Sequence, residues 1–204
     1  MRSNNNYNNY ILKVFAFIFL LLSQIYSKSQ VFFSPDDNPT KQLIREINRS
    51  KEKIYIAIYM LTDRKIAQAL IDAKNKRKVN VQIVADKINV ENKMSKINFL
   101  KQNGIDIFIF NPGGRQLNPP LMHNKFAILD NKIWSGSFNW TISANIQNHE
   151  NVILIDEQDV YQKYLNHFEK LKKRCTLCRA ESNKSGLKCK IKNFLKSLRF
   201  NYRN

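Results

Sequence analysis

Apolar and polar positions alternate along the middle of the chain with two distinct periods. Short apolar runs between polar residues are typical of covered strands, and apolar residues three and four apart are typical of helices. Strands are predicted at residues 54–58, 79–85, 105–110, 126–129, 133–134 and 152–155, and helices at 66–73, 94–101 and 160–173. Their alternation predicts an α/β fold, with a mixed, mostly parallel sheet and helices on both faces.

Composition divides the chain into an N-terminal module (1–29), the α/β domain (30–174) and a tail (175–204). The module contains an uninterrupted apolar run from Val14 to Leu22. That run is shorter than the roughly 20 residues that a membrane span needs. It suits either a retained membrane anchor or the apolar core of a signal peptide cleaved near Ser27 or Ser29, in which case the domain is secreted.

Positive charge is concentrated towards the C-terminus. The chain has 34 Lys and Arg against 16 Asp and Glu, a net charge of +18, and residues 170–204 hold 12 basic residues and one acidic residue. Apolar residues at helical spacing between these cations predict a basic amphipathic helix in the tail. Such a helix suits an anionic membrane surface or nucleic-acid phosphates, and the structural alternative is a docked helix with a solvated basic face.

Three cysteines lie in the tail, at Cys175, Cys178 and Cys189. Together with His167 they are candidate zinc ligands, although their spacing matches no finger pattern. Two alternatives remain open. Three reduced thiols are expected in a protein that faces the cytosol, and one disulfide with one free thiol is expected in a secreted protein.

Polar residues of catalytic type stand at the ends of three predicted strands. His123 and Lys125 are two apart, so an extended chain points both side chains the same way. An imidazole beside a permanent cation suits attack on an anion, because the Lys holds the charge while the imidazole reacts. Ser137 and Asn139 are again two apart and offer donors to phosphate oxygens. Glu150 is a candidate to accept the Nδ1 proton of His123 and so fix its tautomer.

The order of these residues carries a resemblance to a known family. H-x-K-x4-D, filled by His123, Lys125 and Asp130, is followed by G-S-x-N at residues 136–139. Together they resemble the signature of the phospholipase D superfamily. The wider match, through KFAILD, GSFNWT and NHENVILI, resembles the single-motif Zucchini-type enzymes, also called mitochondrial cardiolipin hydrolases, over residues 31–173. Asp130 is carried over as a catalytic position, and a turn residue is its structural alternative.

The resemblance implies a phosphodiesterase that works through a covalent phosphohistidine, without a metal ion or other cofactor. Single-motif members form a homodimer that joins two copies of the motif. His123 of one chain would attack phosphorus, and His123 of the other would protonate the leaving oxygen. Lys125 and Asn139 of both chains would hold the phosphate oxygens with support from Ser137, while Glu150 orients the imidazole.

The residues leave the substrate open. A single-stranded nucleic acid is the first expectation, and cardiolipin or another anionic phospholipid is the second, because both present the same phosphodiester. A third hypothesis is that the protein binds its ligand without catalysis, which the intact motif disfavours. The family also implies an anchor in the mitochondrial outer membrane. Animal members carry a zinc-binding insert soon after the first strand, whereas residues 33–42 here contain no Cys.

Overall fold

One mixed sheet of eight strands forms the centre of the molecule. The computed structural model describes residues 11–15, 29–112 and 118–178. The strands are β1 (Gln30–Ser34), β2 (Lys53–Ile58), β3 (Asn80–Asp86), β4 (Asp106–Phe110), β5 (Lys125–Leu129), β6 (Lys132–Gly136), β7 (Glu150–Ile155) and β8 (Thr176–Cys178). The helices are α1 (Pro39–Arg49), α2 (Arg64–Arg77), α3 (Lys87–Glu91), α4 (Ile97–Gln102), α5 (Ile142–Ile146) and α6 (Gln158–Lys173). The predicted α/β class is confirmed.

The sheet is mixed as predicted, but it is not mostly parallel. Its order is β1-β7-β6-β5-β2-β3-β4-β8. Within this sheet, only β2–β3 and β3–β4 pair in parallel, and the other five neighbouring pairs are antiparallel. The turn at Asp130-Asn131 connects β5 to β6 directly, and two strands joined by so short a turn must run antiparallel.

Helices cover both faces of the sheet, as predicted. On one face, Leu43 of α1, Ile66 and Leu70 of α2 and Leu100 of α4 are fully buried against strand residues such as Ile56. On the other face, α6 packs Phe168 and Leu171 against β5 and the centre of the sheet. Side chains that alternate along β2 supply both layers, which explains why its sequence is apolar throughout.

The helix predicted at residues 94–101 begins later, at Ile97, and the separate short helix α3 precedes it. Tertiary contacts hold the intervening residues as a loop. The Asn92 side chain accepts a hydrogen bond from the Met94 amide at 2.8 Å, and the Lys96 amide donates to the Leu61 carbonyl at 2.9 Å. These hydrogen bonds hold residues 92–96 in a turn ahead of α4.

The sheet extends beyond the expected domain boundary at residue 174. β8 pairs with β4, so residues 176–178 belong to the domain. Cys178 is disulfide-bonded and Cys175 is free. Residues 11–15 are helical, and among the described residues no helix is both long and apolar enough to cross the bilayer. Most of the apolar run, the basic tail helix and Cys189 lie outside the described residues.

Candidate active site

One edge of the sheet collects the polar residues singled out from the sequence. β2, β3, β4 and β6 end at this edge, which we call the site edge, because β2–β4 are parallel and β6 runs antiparallel to β5. β5 and β7 start there, and β1 ends there, since β1 and β6 are both antiparallel to β7. His123, Lys125, Ser137, Asn139 and Glu150 all lie at these strand ends. Sites in open α/β sheets commonly form at such an edge.

His123 and Lys125 are in direct contact, as their spacing predicts. The Lys125 Nζ lies 3.0 Å from Nδ1 and 3.4 Å from Nε2 of the imidazole, and it donates to the His123 carbonyl at 2.7 Å. His123 is exposed while Lys125 is 9% exposed. A buried cation therefore lies beneath a solvent-facing imidazole, which leaves the imidazole accessible to an anionic substrate.

Burial makes the protonated, charged form of Lys125 less stable. Desolvation lowers the pKa of Lys125 below its ordinary value, and the nearby Glu150 carboxylate partly offsets this effect. A buried ammonium with few acceptors is costly. An anionic phosphate at the site would supply the negative partner that the Lys125 ammonium lacks. The site therefore favours binding of an anion.

Tyr59 is a site residue that the sequence reasoning did not identify. Its ring centroid lies 4.3 Å from that of His123, and the Lys125 Nζ lies 5.2 Å from the same phenol ring. The Tyr59 amide also donates to the Asn124 carbonyl at 2.9 Å, which fixes the backbone between the two motif residues. The sequence feature that could have identified Tyr59 is its position at the carboxyl end of a buried strand.

Asp86 is a second residue that was missed. This carboxylate is 3% exposed and accepts hydrogen bonds from the Met122 amide and the Ile88 amide, both at 2.8 Å. It thus fixes the segment directly before His123 to the start of α3. Because ionised acceptors form strong hydrogen bonds, Asp86 positions the motif from below without facing the substrate.

The G-S-x-N segment is positioned by a close approach of two backbones. A Cβ on Gly136 would lie 2.0 Å from the Asn151 carbonyl oxygen, so only glycine fits. The Ser137 amide donates to that carbonyl at 3.1 Å, and its hydroxyl accepts from the Asn151 amide at 3.1 Å. The Asn139 Oδ1 is buried and has no hydrogen-bond partner among the described residues.

Within the described chain Glu150 makes no hydrogen bond to His123, so the tautomer-fixing role predicted for it stays a prediction. Its carboxylate accepts from the Ser137 hydroxyl and, at 3.3 Å, from the Asn148 Nδ2. The Ser34 hydroxyl accepts a hydrogen bond from the backbone amide of Glu150 at 3.1 Å. Glu150 therefore connects β1, β6 and β7, and it acts on the reacting pair through the charge that it places near Lys125.

Asp130 lies at the far end of β5 from His123, so the structure does not bring it into the site. Its carboxylate accepts the amides of Lys51, Glu52 and Lys53 at 2.9–3.0 Å, and its own backbone has a φ of 54°. Burial acts to raise the pKa of Asp130, but the three amides outweigh burial and lower it. The turn alternative, and not direct catalysis, describes its position.

An open groove of about 410 Å³ adjoins the site on the β1 side. Its lining includes Phe33 and Asp36, together with Ser137, His149 and Glu150. Among the described residues, no group of three His, Cys, Asp or Glu side chains is suited to hold a metal ion. Because a disulfide sulfur is not a zinc ligand, the candidate set of His167 and the three cysteines is not supported.

The fold and this site define a class of protein. Residues 43–172 match the family described as cardiolipin synthase, PLD-like domain. The chain therefore belongs to the phospholipase D-like family, and the superfamily expected from the motif is confirmed. Among solved structures it resembles the phospholipase D family member Nuc from Salmonella typhimurium, with a TM-score of 0.68, 28% identity and coverage of 76% of this chain and 100% of that chain.

Two curated relatives show which named proteins the chain is similar to. "Phospholipase D" of Rickettsia prowazekii (strain Madrid E) is 38% identical over 137 residues, which are 67% of this chain and 63% of that protein. "Mitochondrial cardiolipin hydrolase" of Homo sapiens is 25% identical over 136 residues, 66% of this chain and 51% of that protein. The chain thus matches slightly less than two thirds of the first relative and about half of the second.

Proposed function

We propose that the protein hydrolyses phosphodiester bonds with His123 as the nucleophile. The contact between the exposed His123 ring and the buried Lys125 ammonium carries this proposal. Lys125 lies close enough to donate a hydrogen bond to a phosphate oxygen while the imidazole attacks the phosphorus. Membership in the phospholipase D-like family supports the same reaction class.

In the first step, a nitrogen of His123 attacks phosphorus and forms a P–N bond while the bond to the leaving oxygen breaks. A second His123, from the partner chain, donates its proton to that oxygen and an alcohol departs. Lys125 and Asn139 bind the nonbridging oxygens, where negative charge increases in the transition state. The Asn139 side-chain NH₂ group supplies a hydrogen-bond donor for this contact.

In the second step, water attacks the phosphohistidine. The neutral His123 of the partner removes a proton from water, the new P–O bond forms, and the P–N bond breaks. A phosphomonoester leaves and both imidazoles return to their starting states. The described chain has a single H-x-K pair, so this scheme requires a homodimer.

The reaction proposed here proceeds without a metal ion. Two Lys125 ammonium groups, one from each chain, would balance the charge on the transferring phosphoryl group. Activity that persists in EDTA and is unchanged by added divalent cations is the expected result. Loss of turnover in EDTA, restored by one added metal, would contradict this part of the proposal.

For the substrate, we propose an anionic phospholipid. The relatives named phospholipase D and mitochondrial cardiolipin hydrolase support this choice. Single-stranded nucleic acid is the second candidate, which the net charge of +18 favours. A place in the single-motif Zucchini-type branch remains part of the proposal, supported by the motif and by 25% identity to the human enzyme.

We also propose that the domain faces an oxidising compartment, by secretion or at a membrane. The disulfide at Cys178 supports this location, since disulfides rarely persist in the cytosol. The apolar run before the domain offers a route there. Mass spectrometry of the mature protein would distinguish a cleaved signal from an anchor, whether mitochondrial or in another membrane.

The deciding experiment compares the wild type with His123→Ala in EDTA. Labelled single-stranded RNA and DNA form one set of substrates, and cardiolipin vesicles form the other. We expect phosphatidic acid to be released from cardiolipin by the wild type only. Because His123 is exposed, the variant should unfold at the same temperature as the wild type. Unchanged turnover in His123→Ala would overturn the mechanism, and cleavage of nucleic acid alone would overturn the lipid assignment.

A further inference from the structure

Exposed apolar side chains are concentrated at the site edge. Between residues 29 and 178, the part of the domain that the structure describes contains eight large hydrophobic residues that are exposed. Five of these lie in the segments that leave or enter the site edge, namely Ile88, Met94, Leu121, Ile142 and Ile146. Single exposed apolar residues are ordinary, but their concentration around one catalytic edge indicates a contact surface.

Three of the five lie in segments that hydrogen bonds or chain continuity connect to the strand ends at the site. Asp86 accepts the amides of both Ile88 and Met122, so the backbones of α3 and of the segment before His123 are held by one carboxylate. The loop after α3 is held to the segment after β2, because Lys96 donates to the Leu61 carbonyl. Ile88 is 43% exposed, Met94 67% and Leu121 46%. We call these three residues, with Lys87 and Lys93, the apolar–basic patch.

Charge accompanies the apolar residues in this patch. Lys87 and Lys93 are exposed beside Ile88 and Met94, and Lys65 is exposed at the start of α2 on the same edge. Glu91 lies 3.4 Å from Lys87 and offsets part of this charge, which leaves the segment 87–96 with a positive balance. Aliphatic residues between lysines suit the boundary between lipid headgroups and acyl chains, where lysine stems pack and ammonium groups reach phosphate.

We propose that the apolar–basic patch inserts into an anionic phospholipid surface and thereby presents a lipid phosphodiester to His123. This inference rests on the proposed function and adds a docking surface to it. The patch contains no aromatic ring on which a base would stack, which disfavours a nucleic acid. On the two-fold axis of a dimer, two copies would bring like charges together, which disfavours a second chain.

A tryptophan placed in the patch tests insertion independently of activity. Both native tryptophans, Trp134 and Trp140, are buried, so an added tryptophan reports its own surroundings. In the full-length protein, Met94→Trp is titrated with vesicles of cardiolipin and phosphatidylcholine whose acyl chains are brominated. The matched control is Asn75→Trp, at an exposed position near the opposite edge. We expect a blue shift and quenching for Met94→Trp, which should lie about 5–10 Å below the headgroups, and neither for Asn75→Trp.

A polar double variant tests the energetic contribution. Ile88→Ser with Met94→Ser should weaken partitioning onto the same vesicles about tenfold, while hydrolysis of soluble bis(p-nitrophenyl) phosphate stays unchanged. Equal quenching of both tryptophans, no quenching of either, or unchanged partitioning would overturn the proposed surface. So would a shift towards monomer in sedimentation, or an equal loss of single-stranded RNA binding. Failure of the proposed function is distinct, since it would appear as soluble hydrolysis that survives His123→Ala.

Discussion

Lys125 combines burial with a charge that has few acceptors before substrate binds. Desolvation lowers its pKa, and its oxygen acceptor is the His123 carbonyl at 2.7 Å. Because the folded pKa lies below the unfolded one, the charge opposes folding at low pH. That opposition is complete below the folded pKa and is lost as pH rises from the folded pKa to the unfolded one. In the proposed mechanism, this cost in stability leaves a buried cation available to bind phosphate.

Replacing the cation should therefore separate stability from activity. We expect Lys125→Met to raise the melting temperature at pH 7 and to lower kcat/KM by about 10²–10³-fold. In the wild type, activity should decline on the alkaline side at a pH below 10.5, the ordinary value for lysine. Calorimetry and a pH–rate profile test both expectations. A less stable Lys125→Met protein, or an alkaline limb at or above 10.5, would contradict this account of the site.

Tyr59 acts at the same scale by holding the two motif side chains with its ring. We expect Tyr59→Leu to lower kcat about tenfold, with a smaller effect on KM, since a cation–π contact contributes roughly 1–2 kcal/mol when partly desolvated. Tyr59→Phe, which keeps the ring, is the control and should retain near wild-type kcat. If both variants lose activity equally, the hydroxyl matters and not the ring.

At the scale of elements, the strands β5 and β6 carry motif residues at one end and are joined at the other end by the turn at Asp130. The H-x-K residues begin β5, Gly136 ends β6, and the turn between the two strands is fixed by the Asp130 carboxylate. Three backbone amides from the start of β2 meet that carboxylate, so the turn also sets where β2 lies relative to β5. A sequence motif can thus include a residue that positions its strand and lies far from the other motif residues.

This arrangement predicts a stability effect for Asp130. We expect Asp130→Ala to destabilise the protein by about 2–3 kcal/mol at pH 7, because charge-assisted hydrogen bonds are lost, while the folded fraction keeps its kcat. The pKa of Asp130 is lowered, so this stabilisation is present above the unfolded value and is lost as pH falls through the folded value. Denaturant titration and active-site-normalised kinetics test it. Asp130→Asn, which tolerates the positive φ, should lose less stability.

A loss of turnover as large as that of His123→Ala, with unchanged stability, would instead place Asp130 in the chemistry.

At the scale of the whole molecule, the sheet brings the site, the groove beside β1 and the apolar–basic patch to one edge. The opposite edge carries the turn at Asp130 and the loops that lead into β3 and β4. In the proposed mechanism, substrate, partner chain and membrane therefore all approach from one side. The two-histidine scheme demands that two chains share this edge while the patch remains accessible.

The scheme makes a prediction about mixed dimers. When wild-type chains exchange with an excess of His123→Ala chains, activity should fall below the fraction of wild-type chain present, because a mixed dimer lacks either the nucleophile or the acid. Sedimentation velocity establishes that the chains are dimeric and exchange. Activity in strict proportion to wild-type chain, or turnover by a purely monomeric protein, would contradict the shared site.

Much of the fold and the site follows from local sequence. The apolar periods located β2 to β7, α2 and α6 to within a few residues, since burial imposes that pattern on each element separately. His123 and Lys125 meet because two residues along an extended chain share a side. The helix predicted at 94–101 begins later in the structure, because hydrogen bonds to Leu61 and Asn92 hold the residues before Ile97 in a turn. Apolar periodicity does not report such contacts.

The sequence by itself determined the class of fold, the family and the contact between His123 and Lys125, because periodicity, motif order and short-range spacing are local properties of the chain. Tertiary structure alone decided that the sheet is mainly antiparallel, that Asp130 stands far from His123, and that Glu150 bonds Ser137 and Asn148. It alone brought in Tyr59 and Asp86. The physical reason is that strand order and the distances between strand ends depend on which distant segments pair, and no local pattern encodes that pairing.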